Sequence, residues 1–125
     1  MKRDDCPTVT AEVTFLTANE GGRRTAPVLT PQYRPHIVVQ SPSIRHAVAD
    51  DDAINREPYL GICFLDAPSD FRLGHSAAVI LELMYHPRVD YSEIRPGATF
   101  PIREGGRVVG HGRVISRDES RADTR

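Results

Sequence analysis

The sequence predicts an all-β domain, a sandwich or a barrel, on three observations. Apolar and polar residues alternate with period two over several short runs, and Gly, Pro, Asn and Asp punctuate the chain between them. The stretch from Gly97 to Val114 is built to the specification of a tight hairpin. At 125 residues the chain suits one domain with a usable core.

The strands follow in order. Thr8 to Leu16 comes first, with Glu12 and Thr14 alternating with Val13 and Phe15, and Asn19 to Gly22 turns the chain after it. His36 to Gln40 and Tyr59 to Leu65 are short apolar runs, with breaks at Pro31 and at Asp66 to Asp70. Ala77 to Tyr85 is apolar on both faces over most of its length, which reads as a central strand covered on each side. Thr99 to Arg103 sets Phe100 and Ile102 on an apolar face and Thr99, Pro101 and Arg103 on a face open to water. Gly105-Gly106 supplies the turn, since glycine alone reaches positive φ without steric cost.

Arg107 to Ser116 completes the hairpin. Val108, Gly110 and Gly112 share one face, and Val109, His111 and Arg113 the other. Two glycines at alternate positions leave a bare strip where another backbone can approach. The tetrapeptide Glu-Gly-Gly-Arg occurs twice, at Glu20 to Arg23 and at Glu104 to Arg107, and reads as two separate hairpin devices.

Composition narrows the function classes. A formal net charge of -1 gives no global drive towards nucleic acid, so RNA binding would need a local patch. No run of about 20 apolar residues is present to make a transmembrane helix. The charged start, Met1 to Asp5, lacks the apolar stretch of a secretory signal. Cys6 and Cys63 are too few for a disulfide framework, so a cytoplasmic protein with free thiols is expected.

Enzyme chemistry has no local signature. There is no Gly-x-Ser-x-Gly elbow and no phosphate-cradling Gly-x-x-x-x-Gly-Lys-Ser/Thr loop, so neither a catalytic site nor nucleotide binding is expected. The five histidines (His36, His46, His75, His86 and His111) show no His-x-x-x-His pair, and Asp50 to Asp52 lacks the spacing of a calcium loop. No metal and no cofactor are expected.

Three blocks of residues carry a family resemblance. They are Ala11-Glu12-Val13, Leu16-Thr17, Glu20 to Arg23, Thr25 and Tyr33-Arg34-Pro35; then Gly74, Glu82-Leu83 and His86-Pro87; then Gly97, Phe100, Ile102 to Arg107, Val109-Gly110, Gly112 and Val114. In this order they resemble the C-terminal domain (domain 3) of translation elongation factor Tu, over roughly Ala11 to Ile115, with a poor match from Ile37 to Arg72. The resemblance implies a closed six-stranded Greek-key β-barrel over residues 1–117, without enzymatic activity. Ser43 to Glu57 stands as an inserted short helix or loop with Ser43 as N-cap, and Arg88 to Arg95 as a second insertion. Residues 118–125 are expected to be a disordered polar tail.

The resemblance also implies partners. In the family, one side of this domain contacts the backbone of aminoacyl-tRNA, and that side falls here on Arg23, Arg24, Glu104 and Gly105. Gly106, Arg107, His36 and His86 join them as candidates, and His36 stands where the family usually has Gln. The expected partner is tRNA or another structured RNA, held through its backbone. Guanidinium groups bind phosphates with paired hydrogen bonds, and a Gly-Gly turn brings backbone N–H groups close. The alternative is a protein-interaction module, heterologous or self-associating, without RNA contact. A purely structural role also fits the turns, since Glu104 and Arg107 across a hairpin stabilise it by roughly 0.2–1 kcal/mol.

Overall fold

The computed structural model describes residues 6–39 and 60–119. In chain order the strands are β1 (Thr8–Phe15), β2 (His36–Ile37), β3 (Leu60–Gly61), β4 (Cys63–Asp66), β5 (Ser76–Glu82), β6 (Thr99–Glu104) and β7 (Arg107–Asp118). They form one antiparallel sheet of order β3-β2-β6-β7-β1-β5-β4, curved into a half-barrel, so the all-β expectation holds. No helix of the described residues is long and apolar enough to cross a membrane.

The period-two pattern of β1 builds the core directly. Val9, Ala11, Val13 and Phe15 point inward and are buried, while Glu12 is exposed. Val79 and Leu81 of β5, Phe100 and Ile102 of β6, and Val109 and Val114 of β7 pack against them. Burying each such branched or aromatic side chain is worth about 1.5–3 kcal/mol. The bare strip on β7 lets the core close tightly. A Cβ on Gly112 would lie 2.7 Å from Phe100 Cζ and 2.9 Å from the Glu12 carbonyl oxygen.

Several expectations are corrected. The run from Tyr59 to Leu65 is two strands, not one: it divides at Ile62, and Tyr59 lies outside the described residues. β3 pairs with β2 while β4 pairs with β5, so this segment serves both ends of the sheet and must bend between them. Ile62 is fully buried, and its N–H donates to the Pro35 carbonyl at 3.2 Å.

β5 stops at Glu82, where the chain turns over residues 84–88, and it is not covered on both faces, since Ser76 and Ala78 are exposed. The outer face of β6 is not open to water: Pro101 is buried and Arg103 is 0% exposed. β6 is an interior strand, and the register sets the half-buried His36 and His111 beside Arg103 and Pro101 on that face. A β-bulge between Ile102 and Arg103 in the β6–β7 register reverses the expected faces of Val108 and Val109, so Val109 joins the core and Val108 pairs with Arg103.

The segment from Arg88 to Arg95 is fastened to the sheet. Tyr91 and Ile94 are buried, and the Tyr91 hydroxyl donates to the Gly61 carbonyl at 2.6 Å. Arg117 Nη1 donates to the carbonyls of Tyr91 and Ile94 at 2.7 and 3.0 Å. Asp118, expected in the tail, is the last residue of β7, paired with Thr8. Both cysteines are buried thiols outside any disulfide, and Cys63 Sγ donates to Glu82 Oε1 at 3.3 Å. The expected insertion Ser43 to Glu57, Gln40 and the tail from residue 120 lie outside the described residues.

Candidate functional site at the paired glycine turns

The two Glu-Gly-Gly-Arg segments are not separate devices, and the first is not a hairpin. After β1, Ala18–Glu20 forms a single 3-10 turn. The Glu20 carboxylate folds back to accept from the Thr17 N–H at 2.9 Å and from the Thr17 hydroxyl at 3.1 Å. Gly21 ends the turn at φ +90°, which favours glycine. Gly22 packs so closely on β1 that a Cβ there would sit 2.3 Å from the Leu16 carbonyl oxygen. The second segment is the two-residue β6–β7 turn, with Gly105 at φ +64°.

Each turn's arginine reaches into the other turn. Arg23 Nη1 donates to Glu104 Oε2 at 2.6 Å, and its Nε donates to the Thr25 carbonyl at 3.0 Å. Arg107 donates from Nε and Nη2 to the Gly21 carbonyl at 3.3 and 3.2 Å, and from Nη2 to the Gly22 carbonyl. The repeated tetrapeptide is therefore an interlock in which residues more than 80 positions apart exchange arginines.

Glu104 Oε2 has a second donor, the Tyr33 hydroxyl at 2.6 Å. Tyr33 stacks on Phe64 at 5.7 Å between centroids and lies 6.2 Å from Phe15, so an aromatic cluster fixes its position. Burial first, and then the hydrogen bond and charge of Glu104, push the Tyr33 phenol well above its ordinary pKa. It therefore remains a donor throughout the neutral range. Arg23 Cζ lies 5.9 Å from the centre of the same ring, a cation–π contact.

The structure brings together most of the sequence-predicted residues. Arg23, Glu104, Gly105, Gly106 and Arg107 form the interlock, and Arg24 is exposed next to Arg23. His36 pairs with Arg103, one residue from Glu104, and is half-buried. His86 is set apart: Glu82 pairs with Thr8 at the start of β1, whereas the interlock follows Phe15 at its end. Eight residues of strand separate those ends by about 24 Å.

Two residues were missed from sequence. Tyr33 read as a strand entry beside Pro35, and nothing local marks it as a partner of Glu104. Arg34, next to Tyr33 in the chain, is exposed, its Nε donating to the Pro31 carbonyl at 3.0 Å. Among the described residues no group of three or more His, Cys, Asp or Glu is arranged to hold a metal ion. No protein-family model matches the chain.

Proposed function

We propose that the chain is a non-enzymatic binding barrel of the kind represented by domain 3 of elongation factor Tu, and that it holds tRNA or another structured RNA by its backbone at the interlocked turns. One observation carries this reading. The exposed Gly105-Gly106 turn is fastened through Arg107 to the Gly21 and Gly22 carbonyls, and the two arginines next in the chain to the Glu104 partners, Arg24 beside Arg23 and Arg34 beside Tyr33, are both exposed. Arginine suits phosphate because its planar fork donates two parallel hydrogen bonds. A turn without Cβ atoms lets a phosphate approach the backbone N–H groups. Arg23 has a different role: its guanidinium is committed to Glu104 and Thr25, so it shapes the surface and Arg24 and Arg34 supply the phosphate contacts.

The barrel reading rests on the sheet order. The outermost strands, β3 and β4, are consecutive in the chain and separated by Ile62 alone. Counting them as one bent strand gives six strands whose sheet closes on itself, in the Greek-key order that the resemblance implies.

Binding of a labelled bulk tRNA pool across a salt series tests the function. Affinity should fall with salt by about one logarithmic unit per logarithmic unit of salt for each phosphate neutralised. The Arg24→Ala/Arg34→Ala variant, which spares every bond of the interlock, should bind more weakly and lower that slope by about 2. Absence of binding at low salt, or an unchanged slope in the double variant, overturns the proposal.

A further inference from the structure

We infer that a cavity beside β5 binds a small zwitterion of the amino-acid class, with its ammonium at Asp70 and its carboxylate at Arg72. The cavity arises from the way the sheet ends. β4 pairs with β5 no further than Ile80, and beyond it the β4–β5 connection, not a strand, faces residues 76–79. Between that connection and the start of β5 lies a space of about 320 Å³. That is the small end of the range for ligand pockets, about 300–1,000 Å³. The backbone N–H and C=O groups that residues 76–79 turn away from β1 meet no strand there, and none of them bonds to the connection.

The lining sorts into a base and a rim. Phe71 and Ala77 are half-buried and packed on the core, so they make an apolar base. Asp70, Arg72, His75 and Ser76 are exposed around it. None of these four side chains is hydrogen-bonded or ion-paired to a described residue. Asp70 and Arg72 thus face one cavity with opposite charges and do not close on each other. The walls are nonetheless fixed. The Phe71 ring stands edge-on to Phe15 at 5.3 Å between centroids, and its N–H donates to the Pro68 carbonyl at 3.3 Å. The His75 N–H donates to the Arg72 carbonyl at 3.4 Å, and the Gly74 N–H to the Phe15 carbonyl at 2.8 Å. A site already held in shape spends little of its binding energy on ordering.

Charge and shape select the ligand. A simple anion would be opposed by Asp70, and a simple cation by Arg72. A molecule with both charges answers both, and an α-amino acid carries them on one carbon. The Arg72 fork suits a carboxylate through two parallel hydrogen bonds, with the Ser76 hydroxyl and a ring N–H of His75 as further donors. The Asp70 carboxylate accepts from the ammonium. The spare backbone groups of β5 serve the same two ends, as they would serve a neighbouring strand. Phe71 and Ala77 leave an apolar side chain as the best fit to the base, so leucine is the probe.

Nuclear magnetic resonance on the labelled full chain reads the proposal. Leucine should shift the amide signals of residues 70–77 with a Kd of about 1 mM, as befits a small ligand in an open site. Isocaproate, which lacks the ammonium, and leucinamide, which lacks the carboxylate, should each bind about tenfold more weakly. Asp70→Asn should remove the advantage of leucine over isocaproate, and Arg72→Gln its advantage over leucinamide. Both side chains are exposed and unbonded, so the variants keep the fold, and the spread of their own signals shows it. The proposal is overturned by no shift at about 10 mM leucine, or by shifts centred on other residues. Equal binding of isocaproate or leucinamide, or advantages that survive in the variants, overturns it as well.

Discussion

Removing the Glu104 side chain tests whether the interlock is a principal source of stability. Glu104→Ala deletes the acceptor for two donors that both reach Oε2 at 2.6 Å, the Tyr33 hydroxyl and Arg23 Nη1. The tyrosine bond joins a largely desolvated phenol to a charged group, a class worth about 1.5–3 kcal/mol. The Arg23–Glu104 pair, with side chains 30% and 31% exposed, adds the modest about 0.5–1 kcal/mol of a partly solvated ion pair. Together they set the expected loss at about 2–4 kcal/mol. For a domain of this size that lowers Tm by roughly 10 °C, readable by calorimetry or by urea denaturation. A double-mutant cycle with Tyr33→Phe isolates the tyrosine share and should return a coupling of about 1.5–3 kcal/mol. Coupling near zero would refute the reasoning, because it would mean that water serves Tyr33 as well as Glu104 does.

Alkaline pH gives a second expectation. Burial, ahead of all other causes, pushes the Tyr91 phenol up to about 12, and Tyr33 is raised in the same direction. Unfolded tyrosines release their protons near pH 10, before the folded ones do, so stability is complete below about pH 10 and falls above it. Tyr91 alone should remove about 1.4 kcal/mol per pH unit between about pH 10 and pH 12, and urea midpoints that stay level over that window would contradict it. The third expectation concerns the first glycine turn. Gly22→Ala forces a Cβ to 2.3 Å from the Leu16 carbonyl and should cost about 2–3 kcal/mol. Gly21→Ala meets nothing within 4 Å and carries only the strain of φ +90°, about 1–2 kcal/mol. Chemical denaturation ranks the two, and the reverse order would show that contact is not the larger effect.

Much of the fold was legible because its signals are local. Alternation along Thr8–Phe15 and the Gly105-Gly106 turn place β1, β6 and β7 within two residues of where they lie. What escaped is set by register and by partners distant in sequence. The bulge beside Val109 changes which valine faces inward, and nothing in the local pattern marks it. Arg103 reads as a solvated residue by alternation, yet it is fully buried because of what lies beside it on β2 and β7. The candidate site follows the same rule. The repeated tetrapeptide was visible, but the exchange of arginines joins positions 81 and 86 residues apart and needs the assembled sheet to appear. Tyr33 was hidden for the same reason.

Sharing one chain segment between both ends of the sheet leaves little open strand edge among the described residues. β3 offers two residues, and β4 offers four with a bulge among them. An exposed edge recruits other chains when it presents six or seven uninterrupted residues of high β-propensity. The longer strands β1, β5 and β7 all lie inside the sheet, each with a neighbouring strand on either side. The bend at Ile62 therefore works as protection against fibre growth, because it withholds from neighbouring chains the ladder on which a cross-β stack is templated.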